Sequence, residues 1–435
     1  MRRILFMLLT LLVAASFCWA GGAQEGAEGG AAEQKAEKKR IVHYHWTETI
    51  YDKINNKAVE MFEQDNPNVE VKLLLFADAD RATKIRTALA SDGEIDSFAL
   101  ANMESPEFLA NGQMVPIEPE GFGKDSVQEV VDMWQPGSIK VCGGVWEDEY
   151  YGIPFELSNY VAWINTAHME EVGLNPDADI PETWAEFVDV TKKLTKDEGG
   201  VRVRNGFATN AKAAVFPFLI LHALFNQQGL DWSTEDGFLK SLDSPKAVTA
   251  MKTFTDLATE HDVWDPGLFD NEREGFGNGL TSTFLTGGTW YWGVLDQYSV
   301  EREDVAPFPY PRFAGGKDIG GVGYGYCVYV SRLAEDPVIT WEWLDTLASQ
   351  PNEFIKQGYH QPRKSLDQSL AKEYIPYYDE VFKDELAKTS PILASPSMGE
   401  LQDAVGAAFS RIMFEGMSVE DSIAMLKGDT ESILQ

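Results

Sequence analysis

Residues 150–195 read YYGIPFELSNYVAWINTAHMEEVGLNPDADIPETWAEFVDVTKKLT, and this stretch contains several structural signals in direct succession. Gly152 and Pro154 lie at its start, where they disfavour a regular helix. The apolar run over 160–164 predicts a strand that is buried on both faces. A helix is predicted from Pro181 onward, because apolar side chains recur there near the helical period.

Strands and helices also alternate in the first part of the chain, ahead of this stretch. The apolar and charged patterns predict strands over 41–46, 69–76 and 96–101, and helices over 51–64, over 80–91 and near Pro106. Such alternation indicates a parallel sheet that is covered by helices. We therefore expect an α/β protein.

Length and charge limit the classes of protein to which this chain can belong. At 435 residues the chain is too long for one ordinary core, so we expect two domains. The formal net charge of −33 argues against a nucleic acid partner and against docking on an anionic membrane. A soluble, self-repelling exported monomer accounts for this charge, and a cationic ligand is the alternative explanation.

The N-terminal residues predict export from the cytoplasm. Two arginines precede an apolar segment over 4–17 that is short for a membrane span, so we interpret residues 1–20 as a signal peptide. Lipoprotein processing at Cys18 is the alternative to cleavage after residue 20. Residues 21–39 are rich in Gly, Ala, Glu and Lys, which predicts a flexible linker.

The opening stretch also has the residue order and spacing of a known family. It resembles the "YGIPY…YYN" and "P-x-TW-x-EF…KLT" segments of ABC-transporter solute-binding proteins, in the sugar-binding, maltose-binding-protein-like class. The matching residues are Tyr151, Gly152, Ile153, Pro154, Asn165, Pro181, Thr183, Trp184, Glu186, Phe187, Lys193, Leu194 and Thr195. Shorter matches extend the resemblance to nearly all of residues 40–435, and it is weakest over 199–282.

The resemblance implies a two-lobe periplasmic-binding-protein fold, with hinge strands and a ligand cleft between the lobes. The N-terminal lobe would comprise residues 40–155 plus 324–364, and the C-terminal lobe residues 156–323 plus 365–435. The chain would cross between the lobes near 154–159, 321–325 and 363–368.

Common signatures of catalysis and cofactor binding are absent from the sequence. Neither the GxSxG elbow nor the Walker GxxxxGK[ST] loop occurs, and no CxxC spacing supports a zinc site. His43 and His45 lie two residues apart, but no HExxH or carboxylate spacing accompanies them. We therefore expect no enzyme, metal or cofactor. Cys142 and Cys327 fit either one disulfide or two buried thiols.

Aromatic and planar polar side chains are the natural candidates for a sugar site. Trp and Tyr present an apolar face with one polar atom, and Asp, Glu, Asn, Gln and Arg bind hydroxyl groups in pairs. We take the candidates from four kinds of position: beyond the ends of strands, at the proposed hinge, in loops, and at sites where the family resemblance places the ligand cleft. They are Trp46, Glu48, Asn102, Glu104, Glu156, Asn159, Trp232, Trp290 and Arg363. Core packing is the alternative role for each tryptophan, and a hinge hydrogen bond for Glu156 and Asn159.

The resemblance implies an exported protein that captures a carbohydrate by hinge closure and delivers it to the permease subunits of an ABC importer. Its location would be periplasmic or extracytoplasmic, with a lipid tether at Cys18 as the alternative to free secretion. Two other functions remain open. One is a binding protein of the same fold for a polyamine, peptide or organic ion. The other is a secreted glycosidase, which needs two carboxylates that flank one bond.

Overall fold

The computed structural model describes residues 38–47 and 49–435, and Lys38–Gln435 form one compact unit. The predicted signal peptide, Cys18, nearly all of the predicted linker and the candidate Glu48 lie outside the described residues. The linker prediction is wrong for Lys39, because this residue is the first of a strand that runs to Trp46.

Strands form where the sequence has short apolar and aromatic runs. In the described residues they are β1 (Lys39–Trp46), β2 (Val69–Phe76), β3 (Ser97–Ala101), β4 (Val145–Trp146), β5 (Glu149–Tyr150), β6 (Gly152–Asn159), β7 (Val161–Asn165), β8 (Lys196–Glu198), β9 (Val201–Arg204), β10 (Thr283–Gly287), β11 (Val305–Phe308) and β12 (Gly323–Val330). The three strands predicted over 41–46, 69–76 and 96–101 are confirmed as β1, β2 and β3.

Helices cover the sheets. The described helices are α1 (Thr49–Asp65), α2 (Asp78–Ala90), α3 (Ser105–Ala110), α4 (Val127–Val131), α5 (Ser138–Val141), α6 (Thr166–Glu171), α7 (Trp184–Leu194), α8 (Val215–Gln227), α9 (Glu235–Ser241), α10 (Pro245–Thr259), α11 (Glu272–Gly277), α12 (Tyr291–Leu295), α13 (Pro337–Leu347), α14 (Pro351–Ile355), α15 (Gln368–Tyr374), α16 (Lys383–Leu386), α17 (Met398–Glu415) and α18 (Val419–Ile433). The helices predicted over 51–64, over 80–91 and near Pro106 are confirmed as α1, α2 and α3.

The larger sheet has five strands in the order β2-β1-β3-β12-β6, and the part built on it is called the first lobe. β1 is parallel to β2 and to β3, as the alternation of strands and helices predicts. The prediction of a parallel sheet is wrong for β12, which is antiparallel to both β3 and β6. The reason is that β6 leads the chain out of the sheet and β12 brings it back, without the crossover that a parallel pair requires.

A smaller sheet of three antiparallel strands has the order β10-β7-β11, and the part built on it is called the second lobe. The buried strand predicted over 160–164 is confirmed as β7, one residue further along the chain. Ala162 and Ile164 join the core on one face of this sheet, whereas Val161 and Trp163 join the core on the other. β7 is therefore covered on both faces.

The two crossing segments touch each other through their backbones. Tyr160 alone separates β6 of the first lobe from β7 of the second, so the chain first crosses at this residue. It returns between β11 and β12, where a Cβ atom on Gly321 would lie 2.2 Å from the carbonyl oxygen of Tyr160. Glycine is required at this position because the backbones approach so closely.

The helix predicted at the end of the opening stretch is confirmed as α7, and it begins at Trp184 rather than Pro181. Thr183 is its N-cap, and the Thr183 hydroxyl accepts a hydrogen bond from the Glu186 amide. The Glu186 carboxylate accepts one from the Thr183 amide at 2.9 Å, which completes a capping box.

Cys142 and Cys327 are both buried free thiols, so the disulfide alternative does not hold in this structure. The Cys142 thiol donates to the backbone oxygen of Glu156 at 3.3 Å. Burial raises its pKa well above the ordinary thiol range, which keeps it protonated.

Candidate functional site

A cavity of about 560 Å³, called the interlobe pocket, is lined by residues of both lobes. Trp46 ends β1 and Glu104 follows β3, so the first lobe contributes groups at the carboxyl ends of its parallel strands. The second lobe contributes Phe216 from α8, Arg273 from α11 and Trp290 from the turn before α12. The pocket therefore lies where movement of the lobes would open or close it.

Aromatic rings dominate the wall of the interlobe pocket. The aromatic lining residues are Trp46, Tyr51, Tyr160, Phe216, Trp290, Tyr324, Tyr326 and Tyr359. Broad apolar faces of this kind suit the faces of a sugar ring, and the phenol and indole groups add polar atoms at the edges.

The buried tyrosines of the wall carry neutral phenol groups at neutral pH. Burial is the main cause that raises the pKa of Tyr51, Tyr160 and Tyr324 above the ordinary phenol value. Each phenol therefore keeps its O–H group, which can donate as well as accept a hydrogen bond.

Arg81 forms part of the first-lobe wall and lies between two aromatic rings. Its guanidinium carbon is 5.1 Å from the centroid of Trp46 and 5.0 Å from that of Tyr326. It also forms an ion pair with Glu104, with an N–O distance of 2.5 Å. The Arg81 side chain is only 1% exposed, so this pair neutralises a charge that is almost fully removed from water.

Arg273 forms part of the second-lobe wall and, like Arg81 in the first, lies over two aromatic rings. Its guanidinium carbon is 4.6 Å from the centroid of Trp290 and 5.1 Å from that of Phe216. Its Nη2 donates to the backbone oxygen of Thr286 at 3.0 Å, and its Nε has no hydrogen-bond partner among the described residues. Two rings and one carbonyl thus hold the guanidinium at the pocket wall.

A fully buried carboxylate lies behind the first-lobe wall. Glu156 is 0% exposed on β6, and its Oε2 accepts a hydrogen bond from the phenol of Tyr51. Burial and then the Glu156 charge raise the pKa of Tyr51. Tyr51 lines the interlobe pocket, so Glu156 contacts the wall without lining the pocket itself.

The two histidines of β1 are buried. His43 shares a hydrogen bond with Ser97 at 2.8 Å, and burial lowers the His43 pKa to about 3. Both rings are therefore neutral at physiological pH. Within residues 38–47 and 49–435, no group of three or more His, Cys, Asp and Glu side chains is arranged to hold a metal ion.

Comparison with known proteins identifies the family. The model of the family described as "Bacterial extracellular solute-binding protein" matches residues 45–353, which is more than half of the chain. This chain belongs to that family. The family is extracellular by its description, so the protein functions outside the cytoplasm. Among the described residues of this solute-binding protein, no helix has the length and apolar character needed to cross a membrane.

Curated relatives match only in part. An arabinooligosaccharide-binding protein from Halalkalibacterium halodurans is 24% identical over 228 residues, which are 50% of this chain and 47% of the relative. A lactose-binding protein from Rhizobium radiobacter is 24% identical over 216 residues, or 49% and 48% of the two chains. This solute-binding protein thus spans about half the length of the curated relatives it matches.

Solved structures show the same fold over about nine-tenths of this chain. An ABC substrate-binding protein from Listeria monocytogenes, in complex with cycloalternan, has a TM-score of 0.77 at 16% identity over 91% of this chain and 99% of its own. A solute-binding protein from Thermotoga lettingae, bound with α-D-tagatose, has a TM-score of 0.76 at 18% identity over 92% and 100%. These similarities confirm the two-lobe periplasmic-binding-protein fold.

Three of the predicted site residues line the interlobe pocket, namely Trp46, Glu104 and Trp290. Asn159 lies close by at the end of β6, and its Nδ2 is buried without a hydrogen-bond partner among the described residues. Asn102 lines a different cavity of about 450 Å³, where its Nδ2 donates to the backbone oxygens of Val141 and Gly323.

The structure does not place Trp232 or Arg363 in the interlobe pocket of this solute-binding protein. Trp232 is fully buried in the second-lobe core, and its indole donates to Ser241 at 2.7 Å. Arg363 stacks on Trp134 at 5.1 Å and pairs with Asp345 at 2.8 Å inside the first lobe. In this conformation both side chains serve packing rather than the pocket, because their polar groups already have protein partners.

Several lining residues of the solute-binding protein escaped prediction. Arg273 and Phe216 fall in the zone over 199–282 where the sequence resemblance is weakest, and no local motif marks them. Tyr324 and Tyr326 alternate with glycines in the sequence GYGY. That alternation is a usable signal, because residues two apart on a strand lie on the same face. Arg81 follows the second predicted strand within a helix, and only the tertiary fold turns it toward Trp46.

Proposed function

We propose that this solute-binding protein captures a carbohydrate in the interlobe pocket. The observation that carries the proposal is the aromatic wall, to which both lobes contribute rings. The cavity of about 560 Å³ is within the range of small-molecule sites. The sugar-binding names of the partial relatives and the sugars in the related structures agree with the proposal.

The mechanism is hinge closure. A solute that touches Trp46 in the first lobe and Trp290 in the second favours the state in which both walls are together. The free energy available for closure equals the difference in affinity for the closed and open states. Trp290 already packs against core residues of both lobes, so it is well placed to transmit contact with the solute.

A cationic solute fits the pocket less well than a neutral one. Arg81 and Arg273 both line it, and each already lies over two of the aromatic rings that an ammonium group would need. The repulsion between these guanidinium groups and a polyamine supports a sugar over that alternative.

Delivery to the permease subunits of an ABC importer completes the proposed role, and we propose that the protein acts as a monomer without catalysis. The proposed lobe boundaries are residues 40–155 plus 324–364 and residues 156–323 plus 365–435, with the first boundary moved to Tyr160 because β6 continues the first-lobe sheet to Asn159. A lipid tether at Cys18 is proposed as the alternative to free secretion.

Intrinsic fluorescence and thermal melting, measured with a panel of mono- and oligosaccharides, polyamines and amino acids, test the proposal. We expect a sugar to shift the Trp emission and raise the melting temperature. Trp290→Ala should weaken this response, whereas Trp146→Ala, which removes a ring outside the interlobe pocket, should leave it intact. A panel in which only polyamines or amino acids bind would refute carbohydrate capture, and turnover of a chromogenic glycoside would refute a purely binding role.

A further inference from the structure

The interlobe pocket contains two guanidinium groups, one in each lobe, and their charges are balanced differently. Arg81 forms a close ion pair with Glu104. The ion pair of Arg273 with Glu272 is much looser, since its Nε lies 3.7 Å from Oε1 of that carboxylate. That oxygen instead accepts a hydrogen bond from the Thr286 hydroxyl at 2.7 Å. The second-lobe wall therefore presents a positive charge without a carboxylate at hydrogen-bonding distance.

The Arg273 side chain is held in position but still reaches solvent. Phe216 and Trp290 contact its guanidinium, and the Thr286 carbonyl accepts from Nη2. The side chain remains 24% exposed and lines the pocket. A guanidinium held this way loses little conformational freedom when it binds an anion.

Building on the proposed carbohydrate function, we propose that the preferred solute is an acidic sugar whose uronic-acid carboxylate is bound by Arg273. A carboxylate matches the planar guanidinium, and a charge-assisted hydrogen bond is about twice as strong as one between neutral groups. The aromatic wall binds the faces of the sugar rings. Arg81 is paired closely with Glu104 at 2.5 Å, whereas Arg273 lies 3.7 Å from the buried Glu272 carboxylate, so Arg273 is the more available of the two guanidinium groups. One such group matches a single carboxylate better than a doubly charged phosphate.

Matched pairs of sugars separate this inference from carbohydrate binding in general. Calorimetric titration of the exported protein would compare galacturonic acid with galactose, glucuronic acid with glucose, and the di- and trimers of each. We expect at least one uronate to bind about 10- to 100-fold more tightly than its neutral counterpart, from the usual strength of a hydrogen bond to a charged group. That advantage should shrink as the salt concentration rises.

Two variants test whether Arg273 causes the preference for the uronate over the neutral sugar. Arg273→Gln should remove most of the preference for the uronate and leave the affinity for neutral sugars nearly unchanged. Arg302→Gln makes the same charge change in the same lobe, at an exposed arginine that pairs with Asp296, and should leave the preference intact. The melting temperature of each variant without sugar verifies that it is folded.

Each outcome decides between the two proposals. Tight uronate binding that is lost in Arg273→Gln but kept in Arg302→Gln supports the inference. Neutral sugars that bind as tightly as their uronates overturn the inference and leave carbohydrate capture standing. Uronate preference that survives Arg273→Gln overturns the role of this arginine. If no sugar of either kind binds, carbohydrate capture itself fails, and the inference fails with it.

Discussion

Replacement of Gly321 by Ala tests whether backbone contact between the crossing segments holds the two lobes together. The added Cβ would lie 2.2 Å from the carbonyl oxygen of Tyr160 and 2.9 Å from the ring of Tyr310. Both distances are shorter than van der Waals contact, and the closer atom belongs to the backbone. Overpacking of this kind costs about 1–3 kcal/mol of folding free energy, and we expect the upper part of this range because a carbonyl cannot rotate away.

Urea unfolding, followed by Trp fluorescence, measures this loss. Gly428→Ala is the matched control, because Gly428 lies within α18 and a Cβ there meets no atom within 4 Å. Alanine should stabilise that helix by about 0.5–1 kcal/mol, so the two variants are expected to shift in opposite directions. A Gly321→Ala protein as stable as the parent, with unchanged solute affinity, would show that the crossing segments separate without cost and that the reasoning is wrong.

Three further predictions concern the wall, the scaffold and pH. Tyr51→Phe removes a donor to the buried Glu156 carboxylate and should lower the free energy of unfolding by about 1–3 kcal/mol, measured by urea denaturation. Thr183→Ala breaks the capping box of α7 and should cost about 1 kcal/mol while solute affinity stays unchanged in calorimetry. Burial lowers the pKa of His222 and of His360 to about 4, below the ordinary value of 6.5, so both are neutral when folded. The contribution of the two neutral rings to the free energy of unfolding is complete above pH 6.5 and is lost as the pH falls toward 4. The expected slope is about 1.4 kcal/mol per pH unit for each histidine. His360→Gln should make the melting temperature fall less steeply over this range, and an equal fall would contradict the assignment.

Much of the scaffold was predictable because local patterns determine it. The runs over 41–46, 69–76 and 96–101 became strands, and the Thr183–Glu186 spacing became a capping box. In each case neighbours in sequence supply the decisive interaction. The antiparallel placement of β12 was not predictable in this way, because its partners β3 and β6 are far from it in the chain.

The site was predictable only where a strand end or the family resemblance marked it. Trp46 and Glu104 follow from the rule on strand ends, and Trp290 from the resemblance. The resemblance also selected Arg363, and a predicted loop selected Trp232. Both lie elsewhere because their side chains pack within single lobes.

The sequence by itself determined the α/β class, and its motif order supplied the family resemblance, which implies crossings of the chain near 154–159, 321–325 and 363–368. These depend on periodicity, capping residues and motif order, which are local properties. Tertiary structure alone brought Arg81 onto Trp46 and Arg273 onto Trp290, and so placed one guanidinium in each wall of the pocket. Charge balance in a pocket depends on distances between residues that are remote in sequence, and those distances exist only once both lobes have folded.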